Sequence, residues 1–132
     1  MSRSLTFISI AVLGALSSTS HAQGLRAVRP IDGYICMDLN RTEAQMFDPA
    51  ASVVVRESPQ PYARTIGVAA ATAIVSQEPA VNGYRQVLLF DSKPGWVLAR
   101  DLKPSRDLSG AGKTCVPSVM SNGRLGITYR GP

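Results

Sequence analysis

Between Ala51 and Pro104 the apolar residues come in short runs, and Pro, Gly or Asn stands at most of the breaks. The stretch opens with three consecutive valines, Val53, Val54 and Val55, whose β-branched side chains suit a pleated backbone. Strands are predicted over residues 51–56, 64–68, 73–76, 84–90 and 96–99. Pro59 and Pro61 lack a backbone donor, so residues 57–62 read as a loop. Asn82-Gly83 marks a hairpin, because both residues tolerate positive φ. Residues 91–95 make the next turn, and Arg100-Asp101-Leu102 reads as a single 3₁₀-like turn closing the unit. Five short strands with almost no helix specify an all-β fold, a small barrel or a sandwich.

The longest strand raises a burial problem. Successive side chains of a strand point to opposite faces, so Val87 and Leu89 face one way and Tyr84, Leu88 and Phe90 the other. A small barrel buries one face only. Cover for the second apolar face is expected from the N-terminal arm and the C-terminal tail, held together by Cys36 and Cys115.

The two cysteines read as a pair because of the first residues of the chain. Arg3 supplies a positive start, residues 5–16 form an uncharged apolar run, and Ser20-His21-Ala22 is a small-x-small cleavage pattern. The run is too short for a spanning helix, which takes about 20 residues. Residues 1–22 are read as a cleaved export signal, leaving Gln23 at the mature N-terminus and a periplasmic or secreted product. With no Cys directly after the run, a lipid-anchored form is disfavoured. In an oxidising compartment two cysteines pair far more often than not. A redox thiol would want a CxxC or a basic setting, and the sequence has no CxxC, so a structural disulfide is expected.

The mature chain is long enough for one small domain. Its 14 basic residues lose Arg3 with the signal and its 9 acidic residues lose none, so 13 minus 9 leaves a formal balance of +4. The basic residues are scattered, most with an acidic neighbour nearby in sequence, which is the pattern of a solvated surface. A weak attraction to anionic wall polymers or membrane surfaces is allowed. Nucleic acid is a poor match for an exported chain with no Lys/Arg cluster or aromatic-basic motif.

Residues 23–30 show no periodicity and read as a mobile leader; residues 32–39 read as a short strand or an extended arm carrying Cys36. Thr42-Glu43-Ala44-Gln45 is a capping box opening one helical turn, which Asp48-Pro49 stops. Met46 and Phe47 are expected to pack onto the barrel from that turn. Residues 121–132 read as a frayed tail. The resulting organisation is a signal over 1–22, an N-terminal extension over 23–50, a barrel over 51–104 and a partly disordered C-terminal extension over 105–132.

Little here points to catalysis. The mature chain has no histidine, since His21 leaves with the signal, which removes the commonest general base and metal ligand. The carboxylates show no metal-ligand spacing. Asp91 and Asp101 flank the last strand but read as turn residues or a cap, and residues 110–114 lack the spacing of a phosphate loop. The chain is expected to be a non-enzyme with no cofactor and no metal.

The central stretch resembles the bacterial SH3-like (SH3b) family. The matching pieces are Val53-Val54-Val55-Arg56-x-x-Pro59, Ile66-Gly67, Asn82-Gly83-Tyr84, Gly95-Trp96-Val97 and Leu102. They span less than half of the mature chain. Two places depart from the family pattern: residues 68–72 carry no Gly turn after Gly67, and Arg85 follows Tyr84 where many members have a second aromatic. The resemblance implies a five-stranded SH3-like barrel, with the helical turn and the disulfide-clamped extensions added to it. It also implies a shallow aromatic-lined groove between the loop after the first strand and the following hairpin. Tyr62, Tyr84 and Trp96 would line that groove, with Arg56, Glu57 and Arg85 at its rim. Tyr62, between prolines in an exposed loop, is the best contact residue; Trp96 reads rather as a seal of the barrel, and Tyr84 stays open between the two roles. Two partners follow as expectations: cell-wall peptides held in the groove, or another envelope protein bound by the flanks in an adaptor role.

Overall fold

The computed structural model describes residue 14, residues 24–106 and residues 112–131. The expected signal segment and its cleavage pattern at Ser20-His21-Ala22 lie outside the described residues, as do residues 107–111. The five predicted strands are present as β3 (Val54–Arg56), β4 (Thr65–Val68), β5 (Thr72–Ser76), β6 (Tyr84–Leu88) and β7 (Pro94–Leu98). Before them come β1 (Ala27–Pro30), β2 (Tyr34–Leu39), a helical turn α1 (Glu43–Met46) and a 3₁₀ turn over Pro49–Ala51. After them come a 3₁₀ turn over Ala99–Asp101, β8 (Leu102–Pro104), β9 (Thr114–Met120) and β10 (Leu125–Arg130).

The fold is all-β, in two antiparallel sheets. The larger runs β4-β3-β7-β6-β5-β2-β8 and the smaller β1-β9-β10. The expected five-stranded barrel is not what the pairing describes: the larger sheet has seven strands, and its hydrogen bonds run from β4 to β8 without closing a ring. The difference is β2, which sits between β5 and β8 instead of lying as a loose arm. Its Ile35, Met37 and Leu39 alternate toward the core, and Leu39 stands opposite Leu102. Cys36 and Tyr34 give the other face of β2 apolar character too, and that two-sided pattern is why the sequence left its role open.

One core fills the larger sheet. Val55, Val75, Val87 and Val97 are essentially without solvent contact, joined by Leu39, Val53, Ala73 and Leu102. Gly95 of β7 packs closely against its neighbour in the sheet, β3. A Cβ there would collide with Cγ1 of Val55 and lie 3.1 Å from Ile66 Cδ1 and 3.3 Å from the Arg56 carbonyl oxygen. Since Val55 is fully buried it cannot swing aside. Gly95→Ala is therefore expected to cost about 1–3 kcal/mol as an overpacking change, measured by urea unfolding. The Asn82-Gly83 hairpin forms as predicted, with φ of 51° and 80°.

The flanks are more ordered than their sequence suggests. The leader over 23–30 contains β1, whose Ala27 and Arg29 stand opposite Met120 and Val119. The frayed tail over 121–132 contains β10, paired along its length with β9 from Leu125↔Val119 to Arg130↔Thr114. The β9–β10 turn uses Gly123 at a φ of 79°, and Asn122 before it accepts the Arg124 amide on its side-chain oxygen at 3.0 Å. For β1 no local signal exists, because its partner lies about 90 residues away in sequence, as Ala27↔Met120 shows.

This smaller sheet is tied to the larger one on the side where cover was expected, although Phe90 stays 37% exposed. Cys36, Ile74 and Leu88 are register partners in a row across β2, β5 and β6, on the face away from the core. Cys36 is disulfide-bonded to Cys115 of β9. The Ile31 amide donates to the Pro117 carbonyl at 2.9 Å, and the Leu125 amide to the Phe90 carbonyl at 2.9 Å. Ile74 is fully buried although it lies outside the core cluster. The helical turn carries its capping box, with the Gln45 amide donating to Thr42 Oγ1 at 3.2 Å and the Thr42 amide to Gln45 Oε1 at 2.9 Å. Of its two apolar residues, Met46 lines a cleft with Leu39, Val53 and Ala69 at 39% exposure, while Phe47 does not pack as expected and is 82% exposed. Asp48-Pro49 ends the helix after one turn, and Phe47, at its C-cap, is left in solvent. Among the described residues no helix is long and apolar enough to cross a membrane.

Candidate ligand groove

The loop over 57–64, between β3 and β4, is a closed tongue. The Glu57 amide donates to the Arg64 carbonyl at 2.9 Å, and Glu57 Oε1 meets Arg64 Nη2 at 3.1 Å in an exposed ion pair. Inside the loop the Ala63 amide donates to the Gln60 carbonyl at 3.1 Å. Arg56 braces it from below, with Nη1 donating to the Ala63 carbonyl at 2.9 Å. The hairpin between β5 and β6 ties it from the side, through Asn82 Nδ2 donating to the Pro59 carbonyl at 3.0 Å.

Between tongue and hairpin lies an open cleft. Pro61 forms one wall, Asn82 and Gly83 the other, and Leu98, Ala99 and Arg100 its far side. Tyr84, only 5% exposed, also lines it. The Ala99 amide donates to the Gly83 carbonyl at 2.9 Å, fixing the end of β7 against the hairpin. Tyr62 stands next to Pro61 on the tongue and is 81% exposed.

The six residues expected at the groove are thus divided. Tyr84 lines it and Tyr62 stands free beside it. Arg56 and Glu57 hold the tongue in shape, each with its charged group engaged within the loop. Trp96 is half-buried, in register with Arg56 and Gln86, and does not belong to the core cluster. Arg85 lies on the alternate face of β6 from Tyr84. Its Nη2 donates to the Ser76 carbonyl at 2.7 Å, while its buried Nε has no partner. Sequence reasoning missed Pro61, Asn82, Leu98 and Arg100 as groove residues. Asn82 carried a visible signal as half of the Asn-Gly turn, but its side-chain tie to Pro59 depends on where the tongue lies.

The cleft offers the edge of a nearly buried tyrosine, Tyr84, with proline and aliphatic walls and one exposed cation, Arg100, and the exposed ring of Tyr62 stands beside it. That set suits an extended peptide held by ring contacts and by one carboxylate or carbonyl. A second, smaller cleft is wholly different in character. It is apolar, and lies between the bend at residues 68–70 and Leu88, Leu89 and Phe90. Among the described residues no group of three or more His, Cys, Asp or Glu side chains gathers to hold a metal. No family model matches this chain, and no curated protein or solved structure matches it either.

Proposed function

We propose that the protein is a non-catalytic binding module of the bacterial cell envelope, exported through its N-terminal signal, that holds peptidoglycan stem or cross-bridge peptides in an SH3-like groove. The observation that carries this reading is the bracing of the 57–64 tongue from two sides, by Arg56 on the Ala63 carbonyl and Asn82 on the Pro59 carbonyl. A groove wall fixed before the ligand arrives spends less binding energy on ordering itself. The exposed ring of Tyr62 then stands ready on a rigid support.

Co-sedimentation with purified peptidoglycan sacculi tests the proposal. Binding is expected to survive moderate salt and to weaken about 30-fold in Tyr62→Ala, the loss typical of an aromatic hot spot. Binding that disappears with salt would reduce the interaction to net charge and refute a groove that reads peptides. A second reading is an adaptor that binds another envelope protein through its flanks. Its support is that the flanks build a folded sheet instead of two loose tails. On that reading Tyr62→Ala leaves binding intact and changes on β1 or β10 abolish it.

A further inference from the structure

Among the described residues each sheet has two edge strands, and three of the four are blunted. In the larger sheet β8 is three residues long and ends in Pro104. At the other edge β4 is four residues long, and its pairing shifts register between Val55 and Arg56. In the smaller sheet β1 is four residues long, shifts register between Ala27 and Arg29, and ends in Pro30. Shortness, bulges and prolines are devices that keep an edge from pairing with another chain. The fourth edge, β10, has none of them. It runs six residues without proline, and its register with β9 is unbroken from Leu125 to Arg130.

The ladder fixes which backbone groups of β10 face outward. The Pro117 carbonyl of β9 accepts from Ile31 on the β1 side, so Pro117 and its partner Ile127 turn their backbone groups away from each other. By the two-residue repeat of the ladder, Leu125 and Tyr129 also present N–H and C=O to the outside. The Leu125 amide agrees, because it donates to the Phe90 carbonyl, which lies outside the smaller sheet. Among the described residues no backbone hydrogen bond reaches Ile127 or Tyr129 on that side.

Charge says what strand fits this edge. Residues 32–106 hold eight basic and eight acidic residues, whereas residues 24–31 and 112–131 hold five basic residues and no acidic one. Two of the five, Arg124 and Arg130, stand at the two ends of β10. The Met120 amide donates to the Arg124 carbonyl at 2.8 Å, so the ladder extends to Arg124. Alternation then puts both arginines on the same face of β10, with Gly126 and Thr128 between them. Both are exposed, and none of the ion pairs among the described residues engages either. Six residues of strand set them about 20 Å apart. A second copy of this chain would bring only more cations to the edge. An acidic strand would meet an arginine at each end.

We propose that the outer edge of β10 accepts an extended acidic segment of a partner protein as a fourth strand of the smaller sheet. Main-chain bonds to Ile127 and Tyr129 hold the added strand, and Arg124 and Arg130 select its charge. The inference rests on the adaptor reading, for which it names the strand and the partner chemistry, and it is separate from the groove.

The test uses the chain from Gln23 onward, without the expected signal, and a labelled, end-capped peptide Asp-Thr-Val-Thr-Val-Thr-Asp read by fluorescence anisotropy. The acidic residues of the probe have the same spacing as Arg124 and Arg130. N-methylation of its three Thr amides removes the donors that would face β10, and should weaken binding to the wild-type protein about tenfold. Ile127→Pro removes one outward N–H that the ladder with β9 does not use, an edge position where proline is tolerated. It should weaken binding about fivefold, as the loss of one hydrogen bond. Arg124→Gln/Arg130→Gln should weaken it about fivefold at low salt and by little at high salt. Equal affinity for the methylated peptide, or unchanged binding by Ile127→Pro with matched circular dichroism, would overturn strand addition at this edge. The adaptor reading would then still stand through β1. An equal loss in Tyr62→Ala would place the peptide in the groove and overturn the proposal. If the wild-type chain dimerises and Ile127→Pro is monomeric, the edge takes a second copy and the assignment to an acidic partner fails.

Discussion

Replacing Cys36 and Cys115 with alanine should lower the unfolding free energy by about 4–5 kcal/mol. The bond joins residues 79 apart in sequence, and closing a loop of that length removes roughly that much free energy from the unfolded ensemble in the chain-entropy treatment. Small domains have about 5–15 kcal/mol in total, so the variant should be close to unfolded at physiological temperature. The bond also has a local role. It pins β9 to β2 over the row Cys36, Ile74 and Leu88, the face that the larger sheet cannot bury by itself. Reduction of the wild-type protein at low temperature should therefore raise amide hydrogen exchange along β5 and β6 before the core opens. Unchanged exchange across Tyr84–Leu88 on reduction would mean that the smaller sheet stays in place without its clamp.

Ile74→Ala is expected to cost about 3–4 kcal/mol, near the middle of the range for buried aliphatic truncations. Ile74 has no solvent contact, yet it lies on the opposite face of β5 from Ala73 and Val75, which belong to the main core. It stands opposite Cys36, whose disulfide ties this side of the larger sheet to β9. A loss of this size in urea unfolding, against a small effect for Val54→Ala at a residue 37% exposed, would establish that the interface between sheets is a second core. A loss below about 1 kcal/mol would show a loose cover that collapses into the gap without difficulty.

The strands β3 to β7, the turn at Asn82-Gly83 and the capping box of Thr42 and Gln45 were all legible in the chain, because each rests on chemistry within a few residues. The pairing of Cys36 with Cys115 was legible too, since no other cysteines compete for either. The ends of the chain were misread for a physical reason. A short strand such as β1 declares itself only through its partner, and Arg29 pairs with Val119 from near the other end of the chain. Phe47 was expected to pack because it is apolar, but at the end of a single helical turn it stays in solvent.

The groove divides in the same way. Tyr62 and Tyr84 could be named from the sequence, whereas Leu98 and Arg100 enter the cleft only because the end of β7 is held against Gly83. Arg56 and Glu57 looked like rim charges and turned out to brace the tongue, since their partners, the Ala63 carbonyl and Arg64, lie across a loop whose path local pattern does not fix. Local chemistry was enough for the strand-forming segments, the turns and the net positive charge. Long-range pairing is what brings β2 into the larger sheet, makes the two tails a sheet of their own, and gathers there the excess charge of the described residues. Strand and turn propensities act over a few bonds, whereas sheet order and charge segregation depend on pairings across most of the chain, which a local pattern does not record.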